Sequence, residues 1–577
     1  MARANEAVEA ALNEYRDLLA ITSPDPHKAR AYEKAARSIG GYHEDIAGAG
    51  LDRLLAIPNV GKSIAPKVAE YLETGTMSAL EELRAQIPPG VRQLMAIPTL
   101  GPKKAFALYE ELHVASIEEL ADAVADGRVA SLKGFGQKTA DNITAGISMM
   151  QQSGDRVQIG VALDLAEELL GELSSLQQAQ RCDYAGSLRR MRETVGDIDL
   201  LVASEDPKPI MDVFTSLDSV DRVLAHGDTK SSVVTTRGLQ VDLRVIPPSC
   251  WGAALQYFTG SKAHNVKLRE LAVRKKLKLS EYGLFHAETD ELIVAETEGE
   301  VYGQLGLPWI PPTLREDRGE VEAARNGELP DVLQPDQIRG DLHTHTDLTD
   351  GLAPLERMLE AAAGRGYAYY AVTDHAPNLY MQRMTDEKML AQRDRLRALQ
   401  SEYPTMTLLH GTELNIDPDG GVDWPAEFLD GFDVCVASVH SHFNQSREEM
   451  TRRIVRAMEN PHVNVIGHPT ARILGHRPPI DYDLEEVFRA AARTGTALEI
   501  NSYPDRLDLR DEHAMWALRH GVKFAVDTDS HSTVHLNFLR FGVGTAQRGW
   551  VTRDDVINAW PLPRLRKFLR KGRPAGS

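Results

Sequence analysis

Two aspartates lie two residues apart in a segment typical of a buried strand. The stretch GDIDLLV contains Asp197 and Asp199, and residues i and i+2 of a strand point to the same face. The two carboxylates would therefore repel each other and resist burial unless a cation lies between them. Asp242, in the alternating run VDLRV, would complete a three-carboxylate set for two metal ions about 3.5–4 Å apart. The alternative is a surface Asp-x-Asp in a β-bulge.

The segment GSLRR just before these aspartates contains groups suited to binding phosphate. Gly186 and Ser187 stand at the start of a predicted helix, where backbone N–H groups and the hydroxyl could bind triphosphate oxygens. Arg190 adds a positive charge. Together with the three aspartates, this order of motifs predicts phosphoryl transfer.

A second set of potential ligands lies in the C-terminal half, which holds thirteen of the nineteen histidines. Several follow predicted strands, where barrel enzymes place their catalytic residues. Imidazoles mixed with carboxylates suit Zn²⁺, Mn²⁺ or Fe, and nine ligands could hold three ions around a bridging carboxylate and activate water. The nine are His343, His345, Asp350, His375, Glu413, His440, His468, Asp529 and His531, with His343 and His345 predicted on one strand face. We assign His410, His462 and His520 to packing or surface. His442 is near the predicted ligands but is not needed to complete the pattern.

The bulk composition limits what can position these residues. A chain of 577 residues is too long for one core, so we expect several domains. No apolar run approaches twenty residues, which predicts no membrane span, and the acidic amphipathic N-terminus does not resemble a signal peptide. Three isolated cysteines fit a reducing cytoplasm. The net charge of −19 argues by itself against a nucleic-acid partner, but metal sites would account for part of it.

Three similar turns recur in the helical first 150 residues, at 57–61, 97–101 and 132–136, each followed by a lysine and a helix. Such turns present backbone N–H groups that can hold a phosphate. They resemble helix-hairpin-helix motifs, which grip the DNA backbone without reading its sequence. The glycines concerned are Gly61, Gly101, Gly134 and Gly136. The alternative is a set of ordinary connections between helices.

The ordered motifs of residues 1–317 resemble the family X DNA polymerases, of the nucleotidyltransferase fold. GSLRR, GDID and VDLRV match the palm motifs, and residues 257–269 match the segment that closes over the incoming nucleotide. The resemblance implies a DNA polymerase acting on gapped or primed DNA and dNTPs, with Asp197 and Asp199 binding both Mg²⁺ or Mn²⁺ ions and Asp242 holding the catalytic one. It also implies that Ser187 and Arg190 contact phosphates and that Arg269 contacts the template. The other implied nucleotide contacts are Gly186, Tyr257, Phe258, Gly260 and Asn265.

The first domain resembles the lyase domain of the same family, which removes a 5′-deoxyribose phosphate through a lysine Schiff base. By that resemblance Lys28 and Tyr32 match DNA-end-binding positions and Lys67 matches the nucleophile. A second lysine of the family is replaced by Ser63. A helical lysine is otherwise ordinary solvated surface.

The C-terminal half resembles the polymerase-and-histidinol-phosphatase (PHP) domain, which implies about three Mn²⁺ or Zn²⁺ ions and a 3′→5′ exonuclease or 3′-end phosphoesterase. The resemblance assigns the nine ligands to three ions. One takes His343, His345, Glu413 and Asp529, a second takes Glu413, His440 and His468, and a third takes Asp350, His375 and His531.

We therefore predict a multidomain α+β and α/β chain that acts as a cytoplasmic, monomeric DNA-repair enzyme. Its predicted parts are a lyase-like helical domain (1–85), further hairpins (86–155), a palm (156–250), a nucleotide- and template-contacting subdomain (251–317), a linker (318–338) and a distorted (βα)7 barrel (339–577). Two alternatives stay open: a non-polymerising nucleotidyltransferase fused to a small-molecule phosphatase, and a DNA-binding scaffold with inactive sites.

The hairpins generate the first prediction. Replacing Gly134 and Gly136 by Val should weaken binding to every duplex sequence alike and reduce the salt dependence of binding, because backbone contacts act through counterion release. Titrating labelled DNA of several sequences at several salt concentrations checks this. A loss confined to one sequence, or no loss, would contradict it.

Overall fold

The computed structural model describes residues 4–23, 25–42, 44–95, 97, 100–153, 156–379 and 382–571. The first part is helical, and its helices share one hydrophobic core. Asp25 illustrates how they begin: its carboxylate accepts a hydrogen bond from His27 N at 2.9 Å and so caps the second helix. The helices are α1 (Ala4–Thr22), α2 (Pro26–Gly40), α3 (Leu51–Leu55), α4 (Ala65–Thr74), α5 (Ser78–Gln86), α6 (Pro89–Met95), α7 (Pro102–Leu112), α8 (Ile117–Ala125), α9 (Arg128–Ser131) and α10 (Gln137–Ser153).

The predicted palm is a five-stranded sheet of order β2-β4-β7-β6-β5. Strands β4 and β7 run parallel, and Asp199 lies directly opposite Asp242. Helices α11 and α13 cover the sheet with apolar side chains. The elements are β1 (Val157–Gln158), α11 (Ile159–Ser174), β2 (Arg181–Tyr184), α12 (Gly186–Arg189), β3 (Thr194–Val195), β4 (Asp197–Ala203), α13 (Pro207–Thr215), β5 (Val220–His226), β6 (Lys230–Thr235) and β7 (Gln240–Ile246).

A smaller subdomain follows, built on a three-stranded sheet of order β10-β9-β8. Its elements are α14 (Trp251–Thr259), α15 (Lys262–Arg274), β8 (Leu277–Ser280), β9 (Gly283–His286), β10 (Leu292–Val294) and α16 (Glu298–Gln304). Glu298 ties this subdomain to the palm. Its carboxylate accepts hydrogen bonds from Arg189 at 2.9 Å and from Arg315 at 2.6 Å, and Glu298 and Arg315 are both buried.

The segment predicted as a linker, 318–338, is folded. It contains helix α17 (Glu320–Asn326), and Val321, Ala324 and Val332 pack in the core of the preceding subdomain. Leu333 packs in the core of the C-terminal barrel. Prolines and charged residues dominate its composition. The apolar residues between them are buried against the preceding subdomain and against the barrel, so the segment joins the two halves as packed structure.

The C-terminal half forms the predicted barrel, with seven parallel strands in the order β11 to β17. Successive strand residues face opposite layers: Val434 and Val436 point to the barrel interior, and Cys435 and Ala437 pack against the outer helices. The elements are β11 (Gly340–Asp341), α18 (Leu355–Gly364), β12 (Tyr369–Val372), α19 (Asp386–Leu399), β13 (Thr407–Asn415), α20 (Ala426–Leu429), β14 (Val434–Ser438), α21 (Arg447–Glu459), β15 (Val465–Ile466), α22 (Leu484–Thr494), β16 (Ala497–Asn501), α23 (Asp511–Leu518), β17 (Phe524–Asp527), α24 (Leu539–Arg548) and α25 (Leu562–Leu569).

The first barrel strand is shorter than predicted. Strand β11 ends at Asp341, so His343 and His345 follow the strand instead of lying on it. The buried Asp341 carboxylate accepts backbone hydrogen bonds from His343 at 3.3 Å and from Thr528 at 3.2 Å. Backbone groups that would continue the ladder are thereby bonded to a side chain. No helix in the described part of the chain is long and apolar enough to cross a membrane.

Glu298 generates the second prediction. Its pKa falls to about 2 because Arg315 and Arg189 outweigh the effect of burial, which acts to raise it. A carboxyl group with a lowered pKa stabilises the fold above its unfolded pKa, and this contribution is lost only as the pH falls toward 2. Glu298→Gln leaves two guanidinium groups without their shared anion and should cost about 3–5 kcal/mol.

Thermal or urea unfolding of Glu298→Gln at neutral pH measures this cost. Glu322→Gln is the control, because Glu322 makes an exposed ion pair with Lys267, which is worth about 0–1 kcal/mol. Equal unfolding midpoints for the two variants would contradict the prediction.

Candidate active sites

The three palm aspartates lie at or near the starts of two parallel strands, Asp197 and Asp199 on β4 and Asp242 on β7. Asp199 faces Asp242 across the strand pair, and a Cβ on Gly186 would collide with the Asp199 carboxylate. Burial raises the pKa of Asp199 to about 6, and the charges of Asp197 and Asp242 add to this effect. The structure thus concentrates negative charge at one point, where a divalent cation would relieve the repulsion.

Two residues that the sequence analysis missed hold Asp242 in its charged form. Gln240 Nε2 donates a hydrogen bond to its carboxylate at 2.9 Å, and Lys230 Nζ lies 3.0 Å away. Burial acts to raise the pKa of Asp242, but these bonds and one from Ser232 lower it overall. Gln240 lies two residues before Asp242 on the same strand face, so the alternation in VDLRV is the signal that points to it.

The predicted triphosphate turn is helix α12, with Gly186 at φ 61°. Arg190, at its end, donates to Glu316 at 3.0 Å through Nε and to the carbonyl oxygen of Thr259 at 2.6 Å. The structure therefore connects this turn to the YFTGS segment, whose Gly260 lies beside the Arg190 guanidinium. These two bonds fix the plane of the guanidinium.

The YFTGS segment and α15 hold the other predicted nucleotide contacts in fixed positions. Asn265 Nδ2 donates to the carbonyl oxygen of Tyr257 at 2.7 Å, and its Oδ1 accepts from Gln256 Nε2 at 2.7 Å. The Arg244 guanidinium stacks on the Phe258 ring at 4.5 Å. The sequence patterns did not predict roles for Gln256 and Arg244. Arg269 is exposed on α15.

The residues of the helical region that the lyase resemblance predicts differ in exposure and in their contacts. Lys28 is exposed on α2, whereas Tyr32 is buried with its ring 4.6 Å from that of Tyr15. Lys67 Nζ donates to the carbonyl oxygen of Ser63 at 2.9 Å.

The hairpin glycines also differ in conformation. Gly134 and Gly136 adopt φ of 91° and 77°, which glycine accepts without strain. Gly101 is exposed at the start of α7, and Gly61 is exposed in the turn before α4, which begins at Ala65. The second turn includes positions 98 and 99, which lie outside the described residues.

The nine predicted ligands of the barrel converge around Glu413. Its Oε1 lies 3.1 Å from Nε2 of both His440 and His468. Its Oε2 lies 2.9 Å from His375 Nδ1 and 3.5 Å from His343 Nε2. Both oxygens of one buried carboxylate thus face different imidazoles, as a bridging ligand requires.

Two further carboxylates complete the cluster. Asp529 Oδ1 lies 3.2 Å from His345 Nε2, and Asp350 lies 3.3 Å from His375 Nε2 and 3.4 Å from His531 Nε2. The ligand atoms form three overlapping groups. These are His345, Asp350, His375 and His531; His343, His345 and Asp529; and His375, Glu413 and His440. His345 and His375 each belong to two groups, whereas the resemblance assigned each to one ion.

Comparisons with known proteins cover the same regions. Residues 254–316 match the DNA polymerase beta thumb, residues 3–77 a helix-hairpin-helix domain, residues 91–148 a SAM-like helix-hairpin-helix tandem and residues 341–503 the PHP domain. The chain is 36% identical over 554 residues to the DNA polymerase/3′-5′ exonuclease PolX of Bacillus subtilis, covering 96% of both chains. The chain belongs to the family X DNA polymerases that carry a PHP domain.

Each half of this family X polymerase also has its own relatives. DNA polymerase lambda of Rattus norvegicus is 25% identical over 323 residues, covering 51% of this chain and 53% of that protein. A probable phosphatase of Acetivibrio thermocellus is 30% identical over 226 residues, covering 37% of this chain and 86% of the relative. The family and its two domains imply the use of divalent metal ions.

The PHP-domain residues fit such ions. Among the described residues no hydrogen-bond partner is found for the buried atoms His343 Nε2, His345 Nδ1 and Nε2, His375 Nδ1 or Asp350 Oδ1. These atoms lie near one another without the geometry of hydrogen bonds, as ligands aimed at shared ions do. Burial acts to raise the pKa of Glu413, but His440 and His375 hold it well below its ordinary value. The carboxylate is therefore charged and able to bind a cation.

A second layer orients the imidazoles of this polymerase, and the sequence analysis missed it. His343 Nδ1 lies 2.7 Å from Glu499 Oε1, and His440 Nδ1 lies 2.8 Å from Asn415 Oδ1. Such contacts fix the tautomer and the ring plane of a metal-binding histidine. Glu499 and Asn415 stand in the strand ends TALEIN and TELN, and that position was the available signal.

Two arginines also stand beside the ligands. Arg506 Nε lies 3.6 Å from Asp529, and Arg37 of α2 lies 3.8 Å from Asp350. The histidines assigned to packing lie elsewhere: His410 stacks on Phe432 at 4.9 Å, and His462 lies 2.8 Å from Asp430. His442 is exposed.

The shared position of His345 generates the third prediction. Because its two nitrogens face two groups, His345→Gln should lower the content of bound transition metal by more than one ion per chain. Metal analysis after loading with Mn²⁺ or Zn²⁺ and desalting checks this without any assay of activity.

His442→Gln is the control and should keep the wild-type metal content, because His442 is exposed. A His345→Gln protein with the wild-type content, or one that has lost no more than His442→Gln, would refute the overlap of the two groups.

Proposed function

We propose that this chain is a DNA-repair polymerase that fills short gaps by template-directed addition of dNTPs and trims or cleans 3′ ends with its PHP domain. One observation supports the proposal: a palm cluster of carboxylates and a separate barrel cluster of imidazoles and carboxylates, each of which would suit metal ions, lie in one packed chain. The palm cluster is made of carboxylates, which suits Mg²⁺ or Mn²⁺. The barrel cluster contains imidazoles, which suits Mn²⁺ or Zn²⁺.

In the palm, Asp197 and Asp199 would hold both ions and Asp242 the catalytic one. Bound ions would supply Lewis-acid stabilisation for an in-line phosphoryl transfer. The backbone of α12, the Ser187 hydroxyl and Arg190 would bind the triphosphate oxygens. Asp242, which is charged and accepts a hydrogen bond from Gln240, would accept the proton of the primer 3′-OH.

The YFTGS segment would orient the nucleotide. Asn265, fixed between Gln256 and the carbonyl oxygen of Tyr257, would face the base edge. The rings of Tyr257 and Phe258 contact each other with centroids 5.1 Å apart and would exclude the wrong sugar. Arg269, exposed on α15, would contact the template strand.

In the barrel, the nine ligands would hold about three ions, with Glu413 as the bridge. Bound ions would supply an activated water and neutralise the phosphate of the substrate. Arg506 and Arg37 stand at the cluster and would bind the non-reacting phosphate oxygens of a DNA 3′ end. Mn²⁺ should support the reaction better than Mg²⁺, because imidazole ligands suit it better.

Removal of a 5′-deoxyribose phosphate by Lys67 stays a prediction. The bond from Lys67 Nζ to a backbone carbonyl would have to break before the amine could attack. Reductive trapping of the chain on DNA with a 5′-deoxyribose phosphate, compared between wild type and Lys67→Ala, tests it.

The fourth prediction separates the two activities. Asp242→Asn should lower nucleotide insertion at a one-nucleotide gap by about 10²–10³-fold, the usual cost of removing one preorganised charge from an active site. It should leave 3′-end digestion under Mn²⁺ unchanged. His440→Ala should do the reverse, because it removes a ligand of the Glu413 group.

Asp228→Asn and His442→Ala are the controls, since both residues are exposed. Near-normal insertion by Asp242→Asn would sink the polymerase assignment. Equal digestion by wild type and His440→Ala would show that the cluster is not the nuclease. No digestion of DNA by wild type, with hydrolysis of a small phosphomonoester, would favour the small-molecule phosphatase.

A further inference from the structure

Arg548, on barrel helix α24, reaches out of the PHP domain into the polymerase half. Its Nη1 donates to Glu316 Oε1 at 2.8 Å and to the carbonyl oxygen of Arg190 at 2.8 Å. Its Nη2 lies 2.8 Å from Asp511 Oδ2 on α23. The side chain is only 3% exposed. One buried guanidinium thus connects two barrel helices to the end of the triphosphate turn.

The contact is part of a longer chain of charges. Glu316 Oε1 also accepts from Arg190 Nε at 3.0 Å, so a single carboxylate oxygen serves both arginines. On the barrel side, Arg318 Nη1 donates to the same Asp511 oxygen at 3.1 Å. Burial acts to raise the pKa of Glu316, but Arg190 and Arg548 lower it overall, which keeps it ionised.

This sharing has an electrostatic consequence for the turn. If Glu316 paired with Arg190 alone, its charge would neutralise the guanidinium that is expected to bind the triphosphate. Because the same Glu316 oxygen also pairs with Arg548, Arg190 keeps more of its positive charge for an anionic ligand. The bond from Arg548 to the Arg190 carbonyl oxygen also fixes the last residue of the turn.

Close packing supports the same contact. A Cβ built on Gly544 of α24 would lie 2.7 Å from the end of the Met191 side chain and 2.9 Å from its Cβ. Only a glycine allows the barrel helix to approach the residue after Arg190 this closely.

We propose that Arg548 is a positioning residue for nucleotide addition, so that the PHP barrel forms the outer wall of the polymerase triphosphate site. Arg548 acts through Glu316 and the Arg190 carbonyl oxygen and does not touch the nucleotide. This rests on the proposed function of the palm, because it assigns Arg190 to the triphosphate.

The test compares wild type with Arg548→Ala, Arg548→Lys and Arg540→Ala in the full chain. Arg540 is the matched control: it lies on the same helix and also crosses to the palm, but it pairs with Asp164 and Glu167 on α11, away from the turn. Three quantities are measured with Mg²⁺: the KM and the kcat for dNTP insertion at a gap, and the Kd of the dNTP on a gap with a dideoxy-terminated primer. Hydrolysis of bis(p-nitrophenyl) phosphate with Mn²⁺ and the unfolding midpoint serve as folding controls.

We expect Arg548→Ala to raise KM and Kd by roughly 10- to 100-fold, the range of a lost charged hydrogen bond, with a smaller change in kcat. Arg548→Lys should recover part of the affinity, since an ammonium keeps the positive charge but lacks the planar fork of donors by which Arg548 reaches its three partners together. Arg540→Ala should leave KM and Kd unchanged, and Arg548→Ala should keep the PHP activity.

Glu316→Gln keeps the experiment decisive if Arg548→Ala unfolds. It removes the anion that Arg190 and Arg548 share, so adding Arg548→Lys to it should change the Kd of the dNTP less than Arg548→Lys does alone, because the two residues act through one oxygen.

Unchanged Kd in Arg548→Ala, or an equal loss in Arg540→Ala, would overturn the inference. A parallel loss of PHP activity would also overturn it, since that indicates a general structural role. Wild-type protein that binds dNTP without inserting it would overturn the polymerase function alone, and the Kd comparison would still decide the role of Arg548. Wild-type protein that neither binds nor inserts dNTP would overturn both.

Discussion

Both halves of this polymerase depend on holding like charges together in partly buried places. In the palm, the parallel pairing of β4 with β7 sets Asp199 against Asp242, and the raised pKa of Asp199 reflects the cost. In the barrel, Glu413, Asp350 and Asp529 stand among imidazoles that lower their pKa values. Positive charge would relieve the repulsion in both places: we propose that metal ions supply it in the palm and that histidines together with metal ions supply it in the barrel.

The two sites differ in what stabilises them without metal. In the palm, Lys230 lies 3.0 Å from Asp242, whereas burial and the charges of Asp197 and Asp242 raise the pKa of Asp199. The barrel ligands are oriented by a buried second layer, in which Glu499 and Asn415 hold imidazole rings. We expect the barrel site to be preorganised, and the palm site to take its final form when metal and nucleotide arrive together.

The chain is packed as more than a string of independent modules. The segment 318–338 is buried against both of its neighbours, and Arg548 and Arg472 of the barrel contact Glu316 and Glu193 of the polymerase half. Buried ion pairs are costly to break, although they add little net stability over apolar packing. Their value here is geometric, because they fix the orientation of the triphosphate turn relative to the barrel.

The sequence by itself determined the chemistry and the class of fold. Asp-x-Asp on a strand, the order of the palm motifs and the set of nine candidate barrel ligands could be predicted because side-chain alternation and motif spacing are local properties. Seven strands with intervening helices followed from the same patterns. The short first barrel strand could not be predicted, since the bond from His343 N–H to the Asp341 carboxylate depends on a geometry that propensity does not encode.

Only the tertiary structure decided which distant groups hold these residues. Arg190 and Glu316 are 126 residues apart, and Arg548 lies 358 residues from Arg190. Contacts over such separations depend on how helices pack between domains, and no periodicity in the chain records that packing. The same holds for His345, which faces two groups of ligands because closure of the barrel brings the residues that follow β17 next to those that follow β11 and β12. The alternation of residues along a strand sets the direction of each side chain, but closure of the barrel determines which other side chains it contacts.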